Sequence, residues 1–289
     1  MSLYAKGFLI TLAGVLVLSP DTLLVRLIDA PPLAQFFWRG LLSGGIILLG
    51  CLLVAPRALA AMVTRFSRTD AIVLGLYGLS NLLFVYSTLT TLVANTLFIL
   101  ATSPVFAALI ARFVLGETVP RRTWGTILVV LAGIGVIAAG SGLGTSGGSI
   151  KGDLAAVGTA LAMAIIFSVA RLRPERSIVP VMGASSLLFA LACGLVAPSL
   201  ALPEGDWIWM GLKGLLVVPL AFALIATGPR FLPAADVGLL MLLEAVLGPL
   251  YVWAALGEEP GPATLAGGTL VLGALAANNA AMLLRRRPA

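Results

Sequence analysis

The feature that most constrains this chain is a series of long apolar runs, each of a length that suits a membrane crossing. A helix crosses the hydrocarbon core of a bilayer in about 20 residues. Only 10% of the residues are charged, whereas soluble domains carry roughly 25%. The runs are continuous rather than alternating, which favours helices over barrel strands. We therefore predict ten transmembrane helices, at 6–28, 33–54, 70–92, 94–115, 123–140, 152–170, 178–197, 207–227, 235–256 and 262–283.

The 18 Lys and Arg residues are spread unevenly between alternate loops. With the N-terminus inside, most of them fall on the cytoplasmic side, so the positive-inside rule predicts that both termini are cytoplasmic. The net charge of +6 is therefore a topology signal, and we expect the lipid bilayer and no nucleic acid as a partner. The basic residues left on the other side or within spans are Arg26, Arg39, Lys151 and Lys213.

Part of the fourth and fifth runs recurs in the ninth and tenth. Leu115-Gly116-Glu117 returns 141 positions later as Leu256-Gly257-Glu258. Each half then holds five spans, and an odd number of spans makes the two halves enter the membrane from opposite sides. We predict an all-α integral membrane protein with ten transmembrane helices in two inverted-topology five-helix repeats. The first repeat is 1–140, the inter-repeat loop is 141–151, and the second repeat with a basic cytoplasmic tail is 152–289.

An inverted repeat is typical of secondary transporters. Their substrate sites lie near the bilayer midplane between the repeats, and one half rocks on the other to give alternating access. An enzyme would need a convergent nucleophile and base, or a set of metal ligands. The chain has no His, and neither arrangement is evident. We therefore predict a transporter without enzymatic activity, metal or cofactor, and keep a passive channel and a membrane-embedded enzyme as less favoured alternatives.

Short motifs add a resemblance to a known family. Leu-Gly-Glu, followed by a polar turn and a Gly-rich apolar span, occurs twice, and Phe37-Trp38-Arg39 lies in the second run. In these features the chain resembles the ten-span EamA form of the drug/metabolite transporter superfamily, and within it the bacterial amino-acid exporters. The resemblance implies a basket of helices with an inner cavity and peripheral fifth and tenth spans. It also implies export of amino acids or similar metabolites across the bacterial inner membrane, with efflux of toxic aromatic or cationic compounds as the alternative.

The chain departs from that family at one position. The family often has Glu-Pro in the helix before each Leu-Gly-Glu, whereas here the first copy has Ser103-Pro104 and the second has Glu244-Ala245. An acid at a helix centre costs about 2.5 to 3.5 kcal/mol on insertion scales, so Glu244 should face protein or a watery cavity. It either attracts a substrate amine or a coupled proton, or it makes a structural contact with Asn278, Asn279 or Lys213.

The predicted cavity combines span identity under the resemblance with local helical spacing. Tyr77, Asn81, Phe84 and Thr88 share one helix face, which either lines a wet cavity or forms interhelical hydrogen bonds. Apolar walls with a few polar groups and Met suit neutral or zwitterionic solutes. The predicted substrate-binding residues are Tyr77, Asn81, Phe84, Thr102, Ser103, Met163, Met241 and Glu244.

The remaining candidates are structural in character. Asp21 and Arg39 lie at similar depth, which predicts an ion pair that acts as a latch or gate, with Lys213 as a competing partner for Asp21. Asn95 and Asp236 begin their helices after tight turns, which favours N-capping. The repeated Glu117 and Glu258 suggest a role in the fold at the membrane border. The oligomeric state is left open.

Overall fold

A computed structural model of the chain describes residues 3–114, 116, 121–142, 148–171, 176–227 and 234–286. Within these residues every regular element is a helix, so the fold is all-α. In chain order the elements are α1 (Leu3–Leu18), α2 (Asp21–Leu27), α3 (Pro32–Val54), α4 (Pro56–Thr64), α5 (Arg68–Thr90), α6 (Val93–Leu100), α7 (Ser103–Phe113), α8 (Arg121–Gly142), α9 (Ile150–Arg171), α10 (Val179–Val196), α11 (Asp206–Gly211), a π-helical turn (Leu212–Val217), α12 (Val218–Thr227), α13 (Ala234–Leu256) and α14 (Pro262–Arg286).

Eight helical stretches among the described residues are long and apolar enough to cross a membrane. They lie at nearly the same positions as the first eight predicted spans. Two shorter apolar stretches, Leu240–Leu256 and Pro262–Asn278, lie within α13 and α14. The chain is therefore a multi-pass membrane protein. The eight stretches are Leu3–Leu27, Pro32–Val54, Arg68–Thr90, Val93–Phe113, Arg121–Ser141, Ile150–Val169, Val179–Val196 and Asp206–Ile225.

Two of these spans are broken at a Ser-Pro pair. Pro20 has no N–H, so the carbonyl of Leu16 loses its helical partner, and the hydroxyl of Ser19 donates to that carbonyl at 2.9 Å. The break between α6 and α7 is built in the same way, with the Ser103 hydroxyl donating to the Leu100 carbonyl at 2.7 Å. Each break therefore leaves no bare carbonyl at this position, as a membrane interior requires.

The helices pack in pairs that join the two ends of the chain. α3 packs against α10, and α8 packs against α14. α1 contacts α12 and α13, whereas α9 contacts α5, α6 and α7. α6 also packs against α13. The central apolar cluster lies among these helices and includes Phe36, Phe84, Val93, Leu97 and Ile99.

Glycines let α3 and α10 approach closely. A Cβ on Gly40 would lie 2.7 Å from the carbonyl oxygen of Ser186, and one on Gly44 would lie 2.8 Å from that of Gly183. Small residues at such spacing allow two helix backbones to touch. The small face of α3 is therefore used for packing inside the molecule.

The repeated glycines end helices. Gly116 and Gly257 have φ values of 69° and 68°, the left-handed region that glycine adopts without strain. The N–H of Gly257 donates to the Trp253 carbonyl at 2.9 Å and closes the last turn of α13. Leu115 and Glu117, the other members of the first copy, lie outside the described residues.

One helix was not anticipated from the sequence. α4 follows α3 directly, separated from it only by Ala55, and none of its residues is buried. It packs along α3 and α10 at the end of the bundle. Its nine residues are too few to cross a bilayer, and they were hidden by their position between two long spans.

Candidate functional site

A buried ion pair lies between the first two spans. Asp21 begins α2 after the Pro20 break, and Arg39 lies in the first half of α3. Arg39 Nη1 is 3.0 Å from Asp21 Oδ2, and both residues are almost fully buried, at 4% and 2% exposure. Removing two charges from water is unfavourable unless each stays paired. The pair therefore holds the broken end of the first span against the second.

A second cation lies beside this pair with no hydrogen bond. Lys213 belongs to the π-helical turn, which packs against α2 and α3, the helices that carry Asp21 and Arg39. Its side chain is fully buried, at 0% exposure, and Nζ has no hydrogen-bond partner in the described part of the chain. π-Helical turns inside α-helices frequently mark functional sites. The partner of Asp21 in this structure is thus Arg39 and not Lys213.

Several neighbouring polar atoms also lack partners among the described residues. They include Asp21 Oδ1, Arg39 Nε, Gln35 Oε1 and Thr22 Oγ1. Gln35 is one helical turn before Arg39, and its Nε2 donates to the Ile28 carbonyl at 2.8 Å. Buried polar atoms are nearly always hydrogen-bonded, so several unpaired atoms on the adjacent helices α2 and α3 need an explanation. We call Asp21, Gln35, Arg39 and Lys213 the buried charge cluster.

Aromatic side chains border the cluster on the α5 side. The guanidinium carbon of Arg39 lies 5.2 Å from the centre of the Phe84 ring, a cation–π distance. Tyr77 is buried two turns earlier on the same helix and makes an edge-to-face contact with Phe222 at 6.2 Å. The predicted α5 face and the ion pair are therefore neighbours.

The other polar residues of that face bond within their own helix. Asn81 Nδ2 donates to the Tyr77 carbonyl at 2.9 Å, and the Thr88 hydroxyl donates to the Phe84 carbonyl at 2.9 Å. Asn81 is half-buried, so its amide oxygen remains a candidate for contact with a solute. None of these bonds crosses to another helix.

Glu244 also belongs near the cluster. It is half-buried in α13, which packs against α1 and α2. Since Lys213 Nζ has no partner in the described residues, the pairing of Glu244 with Lys213 that the sequence left open is not made in this structure. Asn279, another suggested partner, has a side chain outside the described residues.

The two methionines lie in separate apolar clusters. Met163 packs against the buried cluster that contains Tyr77, on the aromatic side of the site. Met241 packs with Val15 and Ile225, between the first, eighth and ninth predicted spans. Met163 is therefore placed beside the predicted α5 face, whereas Met241 borders a different part of the bundle.

Thr102 and Ser103 are used by their own helix. The hydroxyl of Thr102 donates to the Ile99 carbonyl at 2.6 Å, and that of Ser103 serves the Leu100 carbonyl. Thr102 is fully buried. Both hydroxyls therefore serve the break between α6 and α7. No contact in the described structure joins either residue to the buried charge cluster.

A second polar cluster lies where α5 turns into α6. Arg26 Nη2 is 2.8 Å from Glu258 Oε2, and the same atom donates to the Thr91 carbonyl at 2.6 Å. Glu258 Oε1 accepts from the backbone N–H of Val93 at 2.6 Å. A carboxylate at a helix N-terminus is stabilised by the free N–H groups there. The turn that ends α13 thus caps α6.

Asn95 links the same cluster to three further helices. Its amide nitrogen donates to Ser141 Oγ at 3.0 Å and to Asp153 Oδ1 at 3.2 Å. Its amide oxygen accepts from the Thr264 hydroxyl at 2.6 Å, and Thr91 donates to Asp153 at 2.7 Å. We call these residues the Asn95 network: Arg26, Thr91, Asn95, Ser141, Asp153, Glu258 and Thr264.

The prediction that Asn95 caps its own helix is wrong. α6 begins at Val93, its N-cap is Leu92, and that cap makes no side-chain hydrogen bond. Asn95 lies in the first turn and bonds to three other helices instead. The sequence placed it correctly near a helix start, but tertiary contacts decide where its amide points. Asp236 has a side chain outside the described residues.

A third polar cluster lies at the start of α5. Ser67 and Asp70 form a capping box, in which Ser67 N donates to Asp70 Oδ2 at 2.8 Å. Arg176, just before α10, is 2.9 Å from the same carboxylate oxygen and also donates to the Ala61 carbonyl at 2.9 Å. α5 is therefore tied at both of its ends by contacts between an early and a late part of the chain.

Two grooves open on other faces of the bundle. One has an empty volume of about 830 Å³ between α8 and α14 and includes Arg122 and Asn278. The other has about 800 Å³ beside α13 and includes Phe98 and Trp253. None of the predicted substrate-binding residues lines either groove. Within the described residues no group of three or more Cys, Asp or Glu side chains is placed to hold a metal ion.

Comparison with known proteins adds a family and a fold. A model of the EamA-like transporter family matches the chain twice, over residues 5–139 and 150–280. A solved structure described as "Crystal structure of protein" covers 98% of this chain and 98% of its own, with a TM-score of 0.65 and 20% identity. At that identity the likeness concerns the fold alone. No protein in a collection of curated proteins matches the chain.

Proposed function

Because the chain belongs to the EamA-like transporter family, whose members are membrane transporters of small molecules and not enzymes, we propose that it is a secondary transporter that exports amino acids or related small metabolites. The observation that carries the proposal is the charge buried between the two matched segments. Asp21 and Arg39 come from the first segment, and Lys213 and Glu244 come from the second. Charged groups inside a membrane protein mark substrate and ion pathways.

The helix contacts support an inverted repeat of five spans each. If the spans are numbered one to ten, span two contacts seven, four contacts nine and five contacts ten. Span one contacts eight and nine, and span six makes the equivalent contacts with three and four. This pattern is unchanged when the halves are exchanged. We infer ten spans in two inverted halves, with both termini in the cytoplasm of a bacterial inner membrane.

Two ion pairs at opposite ends of α5 support alternating access. Arg26 of the first half pairs with Glu258 of the second, and Arg176 of the second half pairs with Asp70 of the first. With the N-terminus inside, the Asn95 network lies at the outer end and the Asp70 pair at the inner end. When the halves rock and one end opens, the ion pair at that end separates and the ion pair at the opposite end stays formed. Each pair is then a latch on one side of the membrane.

Counterflow in proteoliposomes tests the proposal. Vesicles loaded with an unlabelled amino acid are expected to accumulate the labelled one transiently, because a carrier exchanges substrate across the membrane. A passive channel gives no such overshoot. A panel of amino acids, with and without an imposed proton gradient, identifies the cargo and the coupling. A protein that gives no counterflow with any amino acid does not have the proposed function.

Replacing Glu244 with glutamine is expected to reduce counterflow about tenfold or more, because it removes the charge that would accept a hydrogen bond from the substrate amine, and a hydrogen bond to a charged group contributes about 1.5–3 kcal/mol. The matched control is Glu259→Gln, the same change at an exposed position. Expression and thermal unfolding of the protein should stay near those of the unmodified chain. Equal counterflow in the two variants would contradict a role for Glu244 in transport.

Replacing Glu258 with glutamine is expected to loosen the outer latch. The change removes the charge that pairs with Arg26 and leaves a weaker acceptor for the N–H of Val93. We expect an outward-open population that raises labelling of a cysteine placed at the buried Ala94, beside the network, by a membrane-impermeant maleimide about tenfold, with Ala94→Cys alone as the reference. The Glu259→Gln variant should not change the labelling rate. If Glu258 acts only on folding, labelling stays unchanged while thermal stability falls.

The aromatic border of the site favours one alternative cargo. Tyr77, Phe84 and Phe222 place three aromatic rings close to the ion pair, and such rings suit flat or cationic compounds. Efflux of toxic aromatic compounds would produce drug resistance on expression without amino-acid counterflow. The counterflow panel therefore separates the two cargoes when aromatic amines are included.

A further inference from the structure

The buried charge cluster holds more donors than acceptors. Its cations are Arg39 and Lys213, and its ionised partner within hydrogen-bond distance is Asp21, which holds Arg39 alone. The charge of Lys213 is left without a partner in the described structure, although its side chain is fully buried. An unpaired buried ammonium is far more unfavourable than a paired one. A buried ammonium without a partner is expected in a site where a bound ligand supplies the opposite charge.

The surroundings of Lys213 hold the side chain in place for such a partner. Gly214, the next residue, packs so closely on α3 that an added Cβ would be 2.8 Å from Leu42 Cβ. The π-helical turn also contacts α2, the helix that begins with Asp21. The π-helical turn is therefore packed tightly against the two helices that carry the ion pair, with Lys213 fully buried between them.

The free atoms of the cluster match the two ends of a zwitterion. Lys213 Nζ and Arg39 Nε are unoccupied donors, and Asp21 Oδ1 and Gln35 Oε1 are unoccupied acceptors. A carboxylate accepts from the donors, and a protonated amine donates to the acceptors and to Glu244 of α13, the helix that packs against α2. Aromatic rings beside the cluster leave an apolar wall for a side chain.

We propose that Lys213 binds the carboxylate of the transported molecule, and that the site therefore takes small solutes that carry a carboxylate and rejects amines that lack one. This inference rests on the proposed function, since it assigns the substrate class of the same site. It also decides against cationic compounds as cargo. A cation that enters the cluster meets the ammonium of Lys213 with no counter-charge of its own, and like charges at short range in a low dielectric repel strongly.

Four matched ligands test the requirement on the full-length protein in detergent. They share one aromatic side chain and differ only in their polar ends: phenylalanine, phenylalaninamide, phenethylamine and hydrocinnamate. Binding is measured by the shift of thermal unfolding and by calorimetry. Phenylalanine is expected to bind about tenfold to a hundredfold more tightly than the amide or the amine, because each lacks the charged hydrogen bond to Lys213. Hydrocinnamate should bind more weakly than phenylalanine but more tightly than the amide or the amine, because it keeps the carboxylate.

Two variants of Lys213 separate binding from folding. Lys213→Met keeps the length of the side chain and removes the charge, so it should lower the affinity for phenylalanine about tenfold or more while leaving that for phenethylamine unchanged or higher. Lys213→Arg keeps a donor charge and should keep the preference for carboxylates. The control is Lys151→Met, at an exposed position of α9. The ligand comparison on the unmodified protein needs no variant, so it stands even if Lys213→Met fails to fold.

The outcomes distinguish this inference from the proposed function. Binding of carboxylates that depends on Lys213, without amino-acid counterflow, would keep the inference and reject amino-acid export. Counterflow of phenylalanine together with equal binding of phenylalanine, its amide and the amine would keep export and overturn the inference. Absence of binding by all four ligands would overturn it as well.

Discussion

Replacing Arg39 with methionine is expected to abolish transport and to lower the free energy of unfolding by about 3–5 kcal/mol, the usual effect of removing one partner of a buried ion pair. Arg39 is almost fully buried, and its only ionic contact in the described residues is Asp21 at 3.0 Å. Without it the Asp21 carboxylate loses its ion-pair partner, and Lys213, the remaining cation of the buried charge cluster, makes no hydrogen bond to it. The Arg57→Met variant is the control, since Arg57 is exposed. Thermal unfolding in detergent and counterflow measure the two effects.

A double variant separates the structural and transport roles of the pair. Asp21→Asn combined with Arg39→Met removes both charges, and replacing a whole buried pair is often close to neutral for stability. We therefore expect the double variant to recover most of the stability lost in Arg39→Met and none of the transport. Recovery of both would reduce the pair to a structural contact. Loss of stability equal to the sum of the single variants would show that the two side chains act independently.

The second large effect is expected at Gly44. A Cβ there would lie 2.8 Å from the carbonyl oxygen of Gly183 and 2.9 Å from the N–H nitrogen of Leu187, and neither backbone atom moves without shifting α10. Gly44→Leu should therefore force α3 and α10 apart and lower the free energy of unfolding by about 3 kcal/mol, the upper end of ordinary overpacking effects. The measurement is thermal unfolding of the purified protein.

The neighbouring glycine provides the control for that variant. A Cβ on Gly45 meets no atom within 4 Å, and the residue is exposed on the other side of α3. Gly45→Leu should be neutral or stabilise the helix by up to about 1 kcal/mol, the difference in helix propensity. If Gly44→Leu and Gly45→Leu unfold at the same temperature, the α3–α10 contact is not as close as the structure has it.

The sequence predicted the first eight spans well because length and apolar content decide them. It could not foresee that the first and fourth spans would each be two helices. The break depends on how Ser19 and Ser103 satisfy the carbonyls that the following prolines release. It also missed α4, which is short and carries no long apolar run of its own.

A contact in the site was predictable where the depth of two side chains in the membrane is enough to identify them as partners. Asp21 and Arg39 lie at similar depth, and the structure brings them into contact. Asn95 illustrates the opposite case, since its amide is directed by residues 46 to 169 positions away. Thr102 and Ser103 were selected for their polarity, but their hydroxyls serve their own helix. Which polar side chain faces a neighbouring helix depends on how each helix is rotated about its axis. A membrane-spanning helix is apolar on most of its faces, so its sequence carries little amphipathic signal from which to predict that rotation.

The Asn95 network has a consequence for how the protein is made. The ribosome delivers Arg26 and Asn95 to the membrane long before Asp153, Thr264 and Glu258, the residues that satisfy them. Until the last two spans are inserted, the charge of Arg26 lacks its carboxylate partner and the amide oxygen of Asn95 lacks its hydroxyl donor. The order of synthesis therefore makes the C-terminal hairpin of α13 and α14 the step that completes this end of the molecule, and a chain stopped before Glu258 should be a substrate for membrane proteolysis.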